Sequence, residues 1–436
     1  MIQKISGLLK HEGFKRYSKN TYWMLIEKVF RIIANLFIGI WVIRYLGPKE
    51  FGTLSYVQSF VGIFAALSTL GLNGIIVNEL VKNPNRKNEV LGTSFTLRMI
   101  TSLSLTVTLI ILGYLFNANQ IENILLLLIS SSTIFQSFNI LEFYFQSTVD
   151  GKLIAFSNII SLTTIGILKV GAIMLKLPVM YFGLILLIEA IVLSLSYVFF
   201  YKRKKFAMRN WFYSKSTAKE LLHKGWPLVL SGFVITIYMK IDQVMIKNIL
   251  NEEMVGNYSA AVKISEAWYF LPMIIVSSLF PALVNKFETK SIYLSRLSRL
   301  YQLLILLSVF VAIPLTFLSD TIITLFYGNQ YALASDTLTI HIWTGLFVSL
   351  SVISGRWVII EKLQRVHLVY TTLGAILNIV LNLLFIPKFG ILGAAYSTLI
   401  SQSFSSYFLL VLNKRTREYF NLITKSIFNI KHNYDN

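Results

Sequence analysis

The sequence contains no cysteine and few charged residues, and both shortages limit what the protein can be. Without cysteine, neither disulfides nor thiolate metal sites can form. Only 14% of the 436 residues are charged, against roughly 25% in an ordinary soluble domain. Too little polar surface is therefore available to face water, and lipid must be the solvent for most of the surface.

Catalytic and metal-binding patterns are also scarce. The five histidines are scattered, without the His-Glu-x-x-His spacing of a metal site, and no Asp-x-Asp pair occurs in any predicted loop. We therefore expect neither an enzyme nor a metal or other cofactor. Lys and Arg number 40 against 20 Asp and Glu. In a membrane protein this excess sets orientation, so it does not point to nucleic acid.

Long apolar runs dominate the sequence. Each is close to the ~20 residues that a helix needs to cross the hydrocarbon, and a lone apolar span must satisfy its own backbone hydrogen bonds as a helix. We predict an all-α membrane protein with twelve transmembrane helices, near residues 22–46, 52–77, 92–116, 123–149, 153–176, 179–201, 225–249, 255–284, 300–318, 333–356, 366–387 and 391–413.

The loops between these spans differ strongly in basic charge. With the N-terminus inside, inward segments carry 29 Lys and Arg residues and outward segments carry 5. This asymmetry follows the positive-inside rule and predicts a multi-pass protein with both termini in the cytoplasm. The basic N-terminus leads straight into a full span, so no cleavable signal peptide is expected.

An internal repeat relates the two halves of the chain. Leu46, Gly52 and Ser55 after the first span match Leu250, Gly256 and Ser259 after the seventh, at a common offset of 204 residues. The match predicts two six-helix bundles related by a pseudo-two-fold parallel repeat, an arrangement suited to alternating access. The predicted domains are a basic N-terminus (1–21), an N-terminal bundle (22–201), a basic linker (202–224), a C-terminal bundle (225–413) and a basic, amphipathic tail (414–436).

Ionisable residues inside predicted spans are costly and are therefore candidates for function. Basic groups near mid-depth suit an anionic phosphate or pyrophosphate, and acidic groups suit a coupling proton or sodium ion. The predicted substrate-binding residues are Arg31, Arg98, Lys240 and Lys263, and the predicted ion-coupling residues are Asp242, Glu189 and Glu266.

Some of these charges have a purely structural alternative. Glu27 and Arg31 are four residues apart and Lys263 and Glu266 three apart, so each pair can form an ion pair within one helix. Lys240 and Asp242 are two apart and point in different directions, so they need partners on other helices. His341 is expected to be a hydrogen-bonded packing residue.

Several short motifs appear in a fixed order on these spans. They are YLGPKEFG (45–52), GWP (225–227), KIDQVMI (240–246), FYG (326–328) and GILGAAYST (390–398). Through them, over about Asn20 to Asn413, the chain resembles the Wzx-type polysaccharide repeat-unit flippases, the O-antigen and capsule translocases of the multidrug/oligosaccharidyl-lipid/polysaccharide exporter superfamily.

The resemblance implies a function in surface polysaccharide biosynthesis. Such proteins move an undecaprenyl-pyrophosphate-linked oligosaccharide across the bacterial plasma membrane by ion-coupled alternating access. The expected partners are that lipid, a proton or sodium ion, membrane lipids and a polysaccharide polymerase. The alternatives are a multidrug exporter of the same superfamily, a membrane-embedded polymerase or transferase, and a lipid II flippase, a branch longer by about two helices.

Overall fold

The computed structural model describes residues 12–116, 119–284 and 289–427, so residues 1–11 of the predicted basic N-terminus lie outside the described part. Every regular element in these ranges is a helix, as lipid-exposed apolar segments require. Seventeen α-helices are described, with five short 3₁₀ turns. They are α1 (Glu12–Ser68), α2 (Asn73–Lys82), α3 (Lys87–Phe116), α4 (Gln120–Phe135), α5 (Ile140–Ser147), α6 (Gly151–Met174), α7 (Val179–Arg203), α8 (Lys215–Ile249), α9 (Glu252–Glu266), α10 (Phe270–Val284), α11 (Lys290–Phe317), α12 (Ser319–Tyr327), α13 (Leu333–His341), α14 (Thr344–Ile360), α15 (Gln364–Phe389), α16 (Ile391–Ser406) and α17 (Lys414–Ile427).

Ten helical segments within the described ranges are long and apolar enough to cross a membrane. The all-α membrane prediction is therefore confirmed, whereas the count of twelve crossings and the grouping into two six-helix bundles stay predictions. Two segments bear on the count. The first candidate, Asn20–Lys82, is 63 residues long, about three times what one crossing needs. Helix α16, at 16 residues, is shorter than a full crossing.

The long first helix changes direction at Gly47. Its backbone has φ of 69° and ψ of 172°, which is not helical, and the positive φ is readily adopted only by glycine. Pro48 follows and supplies no backbone N–H for a helical hydrogen bond. The Gly-Pro pair of the YLGPKEFG motif therefore divides α1 into two straight parts.

The described chain divides into two compact units. Unit 1 contains the residues up to Leu46 and Val57–Thr236, and unit 2 contains Gly47–Tyr56 and the residues from Ile237 onward. The short segment after the kink in α1 therefore belongs with the second unit, and the first part of α8 belongs with the first.

In unit 1 the chain between α7 and α8 packs on the helices around it. Trp211 donates from Nε1 to the Tyr201 hydroxyl at 3.1 Å, and its ring lies 5.7 Å from that of Phe95 on α3. The Lys87 ammonium lies 3.6 Å from the centre of the Phe206 ring. The basic segment predicted as a linker is thus an ordered part of unit 1.

In unit 2 the C-terminal helix α17 covers the ends of other helices. Its Tyr419 ring stacks on Trp357 of α14 at 3.7 Å, and its hydroxyl donates to Glu361 at 2.7 Å. Leu422 and Ile423 belong to the same buried cluster. The tail predicted as amphipathic is helical as far as Ile427, and its buried side chains contact protein. Residues 428–436 of the predicted tail lie outside the described part.

Candidate functional site

Asp242 is the most deeply buried of the predicted site residues in unit 2. It lies on α8 and is 4% exposed, whereas Lys240, two residues earlier on the same helix, is half-buried. At 100° per residue the two side chains point about 200° apart. The expectation that Asp242 needs partners on other helices is confirmed by its hydrogen bonds.

Three side chains from three other helices donate hydrogen bonds to the Asp242 carboxylate. The Tyr258 hydroxyl of α9 donates to Oδ2 at 2.6 Å, and the Thr398 hydroxyl of α16 donates to the same oxygen at 2.5 Å. The Asn382 amide of α15 donates to Oδ1 at 2.6 Å. Hydrogen bonds to an ionised acceptor are short and strong, so this carboxylate joins four helices through its hydrogen bonds.

Two asparagines of α15, Asn378 and Asn382, place amide oxygens close to this carboxylate. Asn382 Nδ2 also donates to Asn378 Oδ1 at 3.3 Å, and Asn378 Nδ2 lies 3.5 Å from the Thr398 hydroxyl. Both asparagines are fully buried. Asn382 Oδ1 is buried and has no hydrogen-bond partner among the described residues. One carboxylate with neutral amide and hydroxyl oxygens suits a singly charged guest, either a proton on Asp242 or a sodium ion, since hard cations prefer oxygen ligands.

The other predicted residues of unit 2 lie on the helices next to this site. Glu266, the last residue of α9, interacts electrostatically with Lys240 and with Asp242. Lys263, one turn earlier, places its ammonium 5.0 Å from the centre of the Phe51 ring. The structure therefore brings Lys240, Asp242 and Glu266 together.

His341 ends α13 beside the same site. It is 3% exposed, and its Nδ1 lies 2.8 Å from the Ser265 hydroxyl. Its ring stands edge-on to Tyr258 at 6.0 Å. These contacts confirm the prediction of a hydrogen-bonded packing residue.

In unit 1, Arg31 of α1 pairs with Glu27 on the preceding turn. Its Nη2 lies 2.5 Å and its Nε 2.7 Å from Glu27 Oε1, so the structural alternative of an ion pair is confirmed for these two residues. The arginine is not buried by this pairing. Its side chain is 45% exposed, whereas the side chain of Glu27 is 11% exposed. Arg31 is therefore accessible to a second anion.

Arg98 of α3 has a different environment. It is 5% exposed, and its guanidinium lies 5.7 Å from the centre of the Phe143 ring. Its Nη1 is buried without a hydrogen-bond partner in the described part of the chain. Because a buried polar group without a partner costs free energy, such a group is either strained or kept for a ligand.

Glu142 interacts with both arginines, although it was not among the predicted site residues. It lies on α5, one turn after a 3₁₀ segment, Gln136–Asn139, that interrupts a span predicted as continuous. Its carboxylate interacts electrostatically with Arg98, Arg31 and Glu27. Interrupted helices in transporters line binding sites near mid-membrane, so the break brings an acidic group to the two predicted basic ones.

Glu189 of α7 lies apart from these groups. It is half-buried and interacts electrostatically with Lys169 of α6, while its backbone carbonyl accepts a bond from Ser161 at 3.4 Å. No described contact links it to Arg31 or Arg98, so its predicted ion-coupling role gains no support from its surroundings.

Sequence reasoning identified Asp242 but missed its neighbours. Asn378 and Asn382 are four residues apart, on one face of a helix inside an apolar span. Two amides at that spacing inside an apolar span need hydrogen-bond partners, and this pattern could have identified them as partners of a buried polar site. Tyr258 and Thr398 carry no comparable sequence signal, because single hydroxyl residues are common in membrane helices.

Comparison with known proteins places the chain in a family. A family model described as polysaccharide biosynthesis protein matches residues 17–287, more than half of the chain. The chain belongs to this family of polysaccharide biosynthesis proteins. The resemblance inferred from the motifs is confirmed at this level.

Two relatives align over most of the chain. Capsular polysaccharide biosynthesis protein CapF of Staphylococcus aureus is 20% identical over 394 residues, covering 88% of this chain and 96% of the relative. A probable low-salt glycan biosynthesis flippase, Agl15 of Haloferax volcanii, is 25% identical over 394 residues, covering 85% and 79%. Neither name is that of an enzyme with a known reaction, in agreement with the prediction that the chain is a transporter and not an enzyme.

Solved structures share the fold. The lipid II flippase MurJ in an inward closed conformation aligns with a TM-score of 0.69 at 17% identity, covering 94% of both chains. An inward-facing multidrug resistance MATE family transporter of the MOP superfamily aligns with a TM-score of 0.68 at 16% identity, covering 90% of this chain and 95% of that one. The predicted exporter-superfamily fold is thereby confirmed.

Proposed function

We propose that this protein is a flippase that moves a polyprenyl-pyrophosphate-linked oligosaccharide across a bacterial plasma membrane, driven by a proton or sodium ion bound at Asp242. The observation that carries the proposal is the Asp242 carboxylate, held by Tyr258, Thr398 and Asn382 inside a membrane protein of a polysaccharide biosynthesis family. A relative named as a glycan flippase supports the same activity.

The ion would bind at the Asp242 carboxylate and replace some of its hydrogen bonds. A proton on Asp242, or a sodium ion between its oxygens and the free Asn382 Oδ1, would change which donors the carboxylate holds. Since those donors lie on α9, α15 and α16, binding alters the contacts among four helices. A guest that binds two arrangements with unequal affinity shifts the balance between them, and this is how ion binding would drive transport.

The basic residues would bind the pyrophosphate of the substrate. Arg31 is accessible and Arg98 has an unsatisfied guanidinium nitrogen, and guanidinium groups match phosphate oxygens in geometry and charge. Lys240 and Lys263 would supply the same charge in unit 2. These groups would repel the cations typical of multidrug exporters, which disfavours that alternative.

The fold we propose has twelve crossings, in two six-helix bundles, with both termini in the cytoplasm. The break at Gly47 allows the first candidate segment to cross twice, and α16 with the following 3₁₀ turn to Val411 gives a short final crossing. A reporter fused after Lys215 is expected to give a cytoplasmic signal. A periplasmic signal at that position would contradict the orientation.

The central experiment measures flipping in proteoliposomes under imposed ion gradients. The wild type is expected to transport undecaprenyl-pyrophosphate-linked oligosaccharide at a rate set by a proton or a sodium gradient, and Asp242→Asn to make the rate independent of both. The matched control is Asp320→Asn, at an exposed acidic residue on α12, which should keep the gradient dependence. An unchanged dependence in Asp242→Asn would refute the ion-coupling role.

A cellular assay tests the headgroup residues. Arg31→Ala and Lys240→Ala are each expected to abolish surface polysaccharide while protein levels stay normal, because the pyrophosphate loses a counter-charge. Lys425→Ala, at an exposed lysine of α17, is the control and should leave the polymer intact. Normal polymer in both site variants would remove these residues from the substrate site.

A further inference from the structure

An apolar groove lies between α1 and α6 within unit 1. One wall is formed by Phe30, Ala34 and Ile38 of α1, and the other by α6 residues that include Gly166, Val170 and Met174. A cavity of about 540 Å³ lies between the walls, within the range of ligand sites. A membrane-facing helix pair ordinarily closes such a space by packing, so its presence needs a local cause.

The cause lies in the glycines of α6. The two helices run parallel and touch at several levels: Gly151 N donates to Asn20 Oδ1, and the Trp23 and Phe156 rings lie 5.1 Å apart. Near the middle, a Cβ at Gly166 would lie 2.8 Å from Ile38 Cδ1. One turn further, a Cβ at Gly171 would meet no atom within 4 Å. The groove is therefore open where Gly171 leaves out a side chain.

The groove begins beside a charged pair on the same helix face. Glu27, Arg31, Ala34 and Ile38 are spaced by four, three and four residues, so they share one face of α1. Arg31 retains 45% of its side-chain exposure and lies one turn before Ala34. On that face, a basic group is followed directly by an apolar track about 12 Å long from Phe30 to Ile38.

We propose that this groove binds the first part of the polyprenyl chain of the substrate, with its pyrophosphate held at Arg31. The inference rests on the proposed function and adds where the lipid tail is held. In a polyprenyl pyrophosphate the anionic group is bonded directly to the hydrocarbon chain, which fits an arginine followed at once by an apolar track. In a phospholipid, a glycerol ester separates the phosphate from the acyl chains, so the match with the groove is poorer.

The test fills the groove without disturbing its packing. Gly171→Leu places a side chain in open space inside the groove, whereas Gly39→Leu places the same side chain at an equally open α1 position that does not line the groove. Binding of undecaprenyl pyrophosphate and of the short-chain geranyl pyrophosphate is measured on purified protein in nanodiscs.

We expect Gly171→Leu to weaken undecaprenyl pyrophosphate binding about tenfold, the loss expected when roughly 60 Å² of apolar contact is removed. Geranyl pyrophosphate binding and the Gly39→Leu control should stay near wild type, because a two-isoprene chain of about 10 Å held at Arg31 ends near the level of Ile38, short of Gly171. If Gly171→Leu folds poorly, Ala34→Leu, which narrows the opposite wall, should weaken undecaprenyl pyrophosphate binding in its place. The comparison with geranyl pyrophosphate applies to Gly171→Leu, because Ala34 lies one turn from Arg31 and within reach of both chains.

The alternative outcomes are distinguishable. Unchanged undecaprenyl pyrophosphate binding in Gly171→Leu and Ala34→Leu would mean that the groove holds only bulk lipid, and this inference would fail while the flippase proposal stands. An equal loss of both ligands would place the effect at the headgroup and would also overturn it. If neither pyrophosphate binds the wild type, the proposed function itself fails.

Discussion

Substituting alanine for Gly256 tests how closely α1 and α9 approach within unit 2. A Cβ at Gly256 would overlap the carbonyl oxygen of Pro48 and lie 2.9 Å from its Cα. At Gly52 a Cβ would overlap the carbonyl oxygen of Glu252 and lie 2.8 Å from the Gly256 nitrogen. Each glycine thus faces the backbone of the other helix, which cannot rotate away as a side chain does.

The size of the effect follows from these distances. Carbon atoms in contact lie about 3.5–4.0 Å apart, so the helices must separate by about 1 Å to admit the methyl group. Overpacking of this kind costs about 1–3 kcal/mol, while the better helix propensity of alanine returns about 0.5–1 kcal/mol. We expect Gly256→Ala to lower the free energy of unfolding by about 1–2 kcal/mol.

Thermal unfolding in detergent, followed by tryptophan fluorescence, measures the change. Gly62→Ala on α1 is the matched control, because a Cβ there would meet no atom within 4 Å. At Gly62 the substitution brings only the better helix propensity of alanine, so the unfolding midpoint of Gly62→Ala should equal or exceed that of the wild type. A Gly256→Ala midpoint at or above wild type would refute the close approach of the two helices.

Three further substitutions test contacts elsewhere. Asn382→Leu removes a side chain that donates a hydrogen bond to Asp242 at 2.6 Å. Because hydrogen bonds to charged groups contribute about 1.5–3 kcal/mol, the ion concentration that gives half-maximal transport should shift by at least about tenfold. An unchanged half-maximal concentration would show that the bond is absent. Tyr419→Phe loses the hydrogen bond to the Glu361 carboxylate, about 1.5–3 kcal/mol. Tyr419→Ala also loses its stacking on Trp357 and should cost about 3–5 kcal/mol more. Equal unfolding midpoints for the two variants would argue against docking of α17. Arg86→Gln breaks partly exposed contacts with Glu89, Glu220 and Thr217. Exposed ion pairs contribute about 0–1 kcal/mol each, so the cost should stay below about 2 kcal/mol, and a larger drop in the unfolding midpoint would contradict the exposed position of these contacts.

The sequence predicts features that depend on neighbouring residues. Apolar length and helical backbone requirements predict the membrane helices, and the Gly47-Pro48 dipeptide marks the kink in α1. The offset of 204 residues also pairs Gly52 with Gly256. That these two glycines contact each other's helices could not be predicted, because a repeat relates positions in sequence without placing them in space.

Features that depend on long-range packing were only partly predictable. Asp242 was identified as a costly buried charge, but its partners Asn382 and Thr398 lie 140 and 156 residues further along the chain. Glu142 was not among the predicted site residues; it lies on the helix that follows the 3₁₀ break at Gln136–Asn139 and interacts with Arg98. A break in an apolar span without proline or glycine leaves no mark in the sequence.

Under the proposed function, the charges at the candidate sites would connect substrate binding to ion binding. In unit 2, Lys240 and Lys263 balance Asp242 and Glu266. In unit 1, Arg31 and Arg98 balance Glu27 and Glu142. Each set is neutral when empty, so a pyrophosphate that brings about two negative charges leaves it negative in a medium that penalises net charge. Binding a proton or sodium ion together with the headgroup would offset about half of that added charge and lower the penalty.

Thermodynamic linkage turns this balance into a measurable prediction. If the headgroup strengthens cation binding, the cation must strengthen headgroup binding by the same factor. The affinity for undecaprenyl pyrophosphate should therefore rise with sodium concentration or with acidity, depending on the coupling ion, and Asp242→Asn should reduce the dependence. An affinity that responds to neither ion in the wild type would mean that the substrate charge is compensated elsewhere, and ion coupling would then need a cause other than charge balance at these residues.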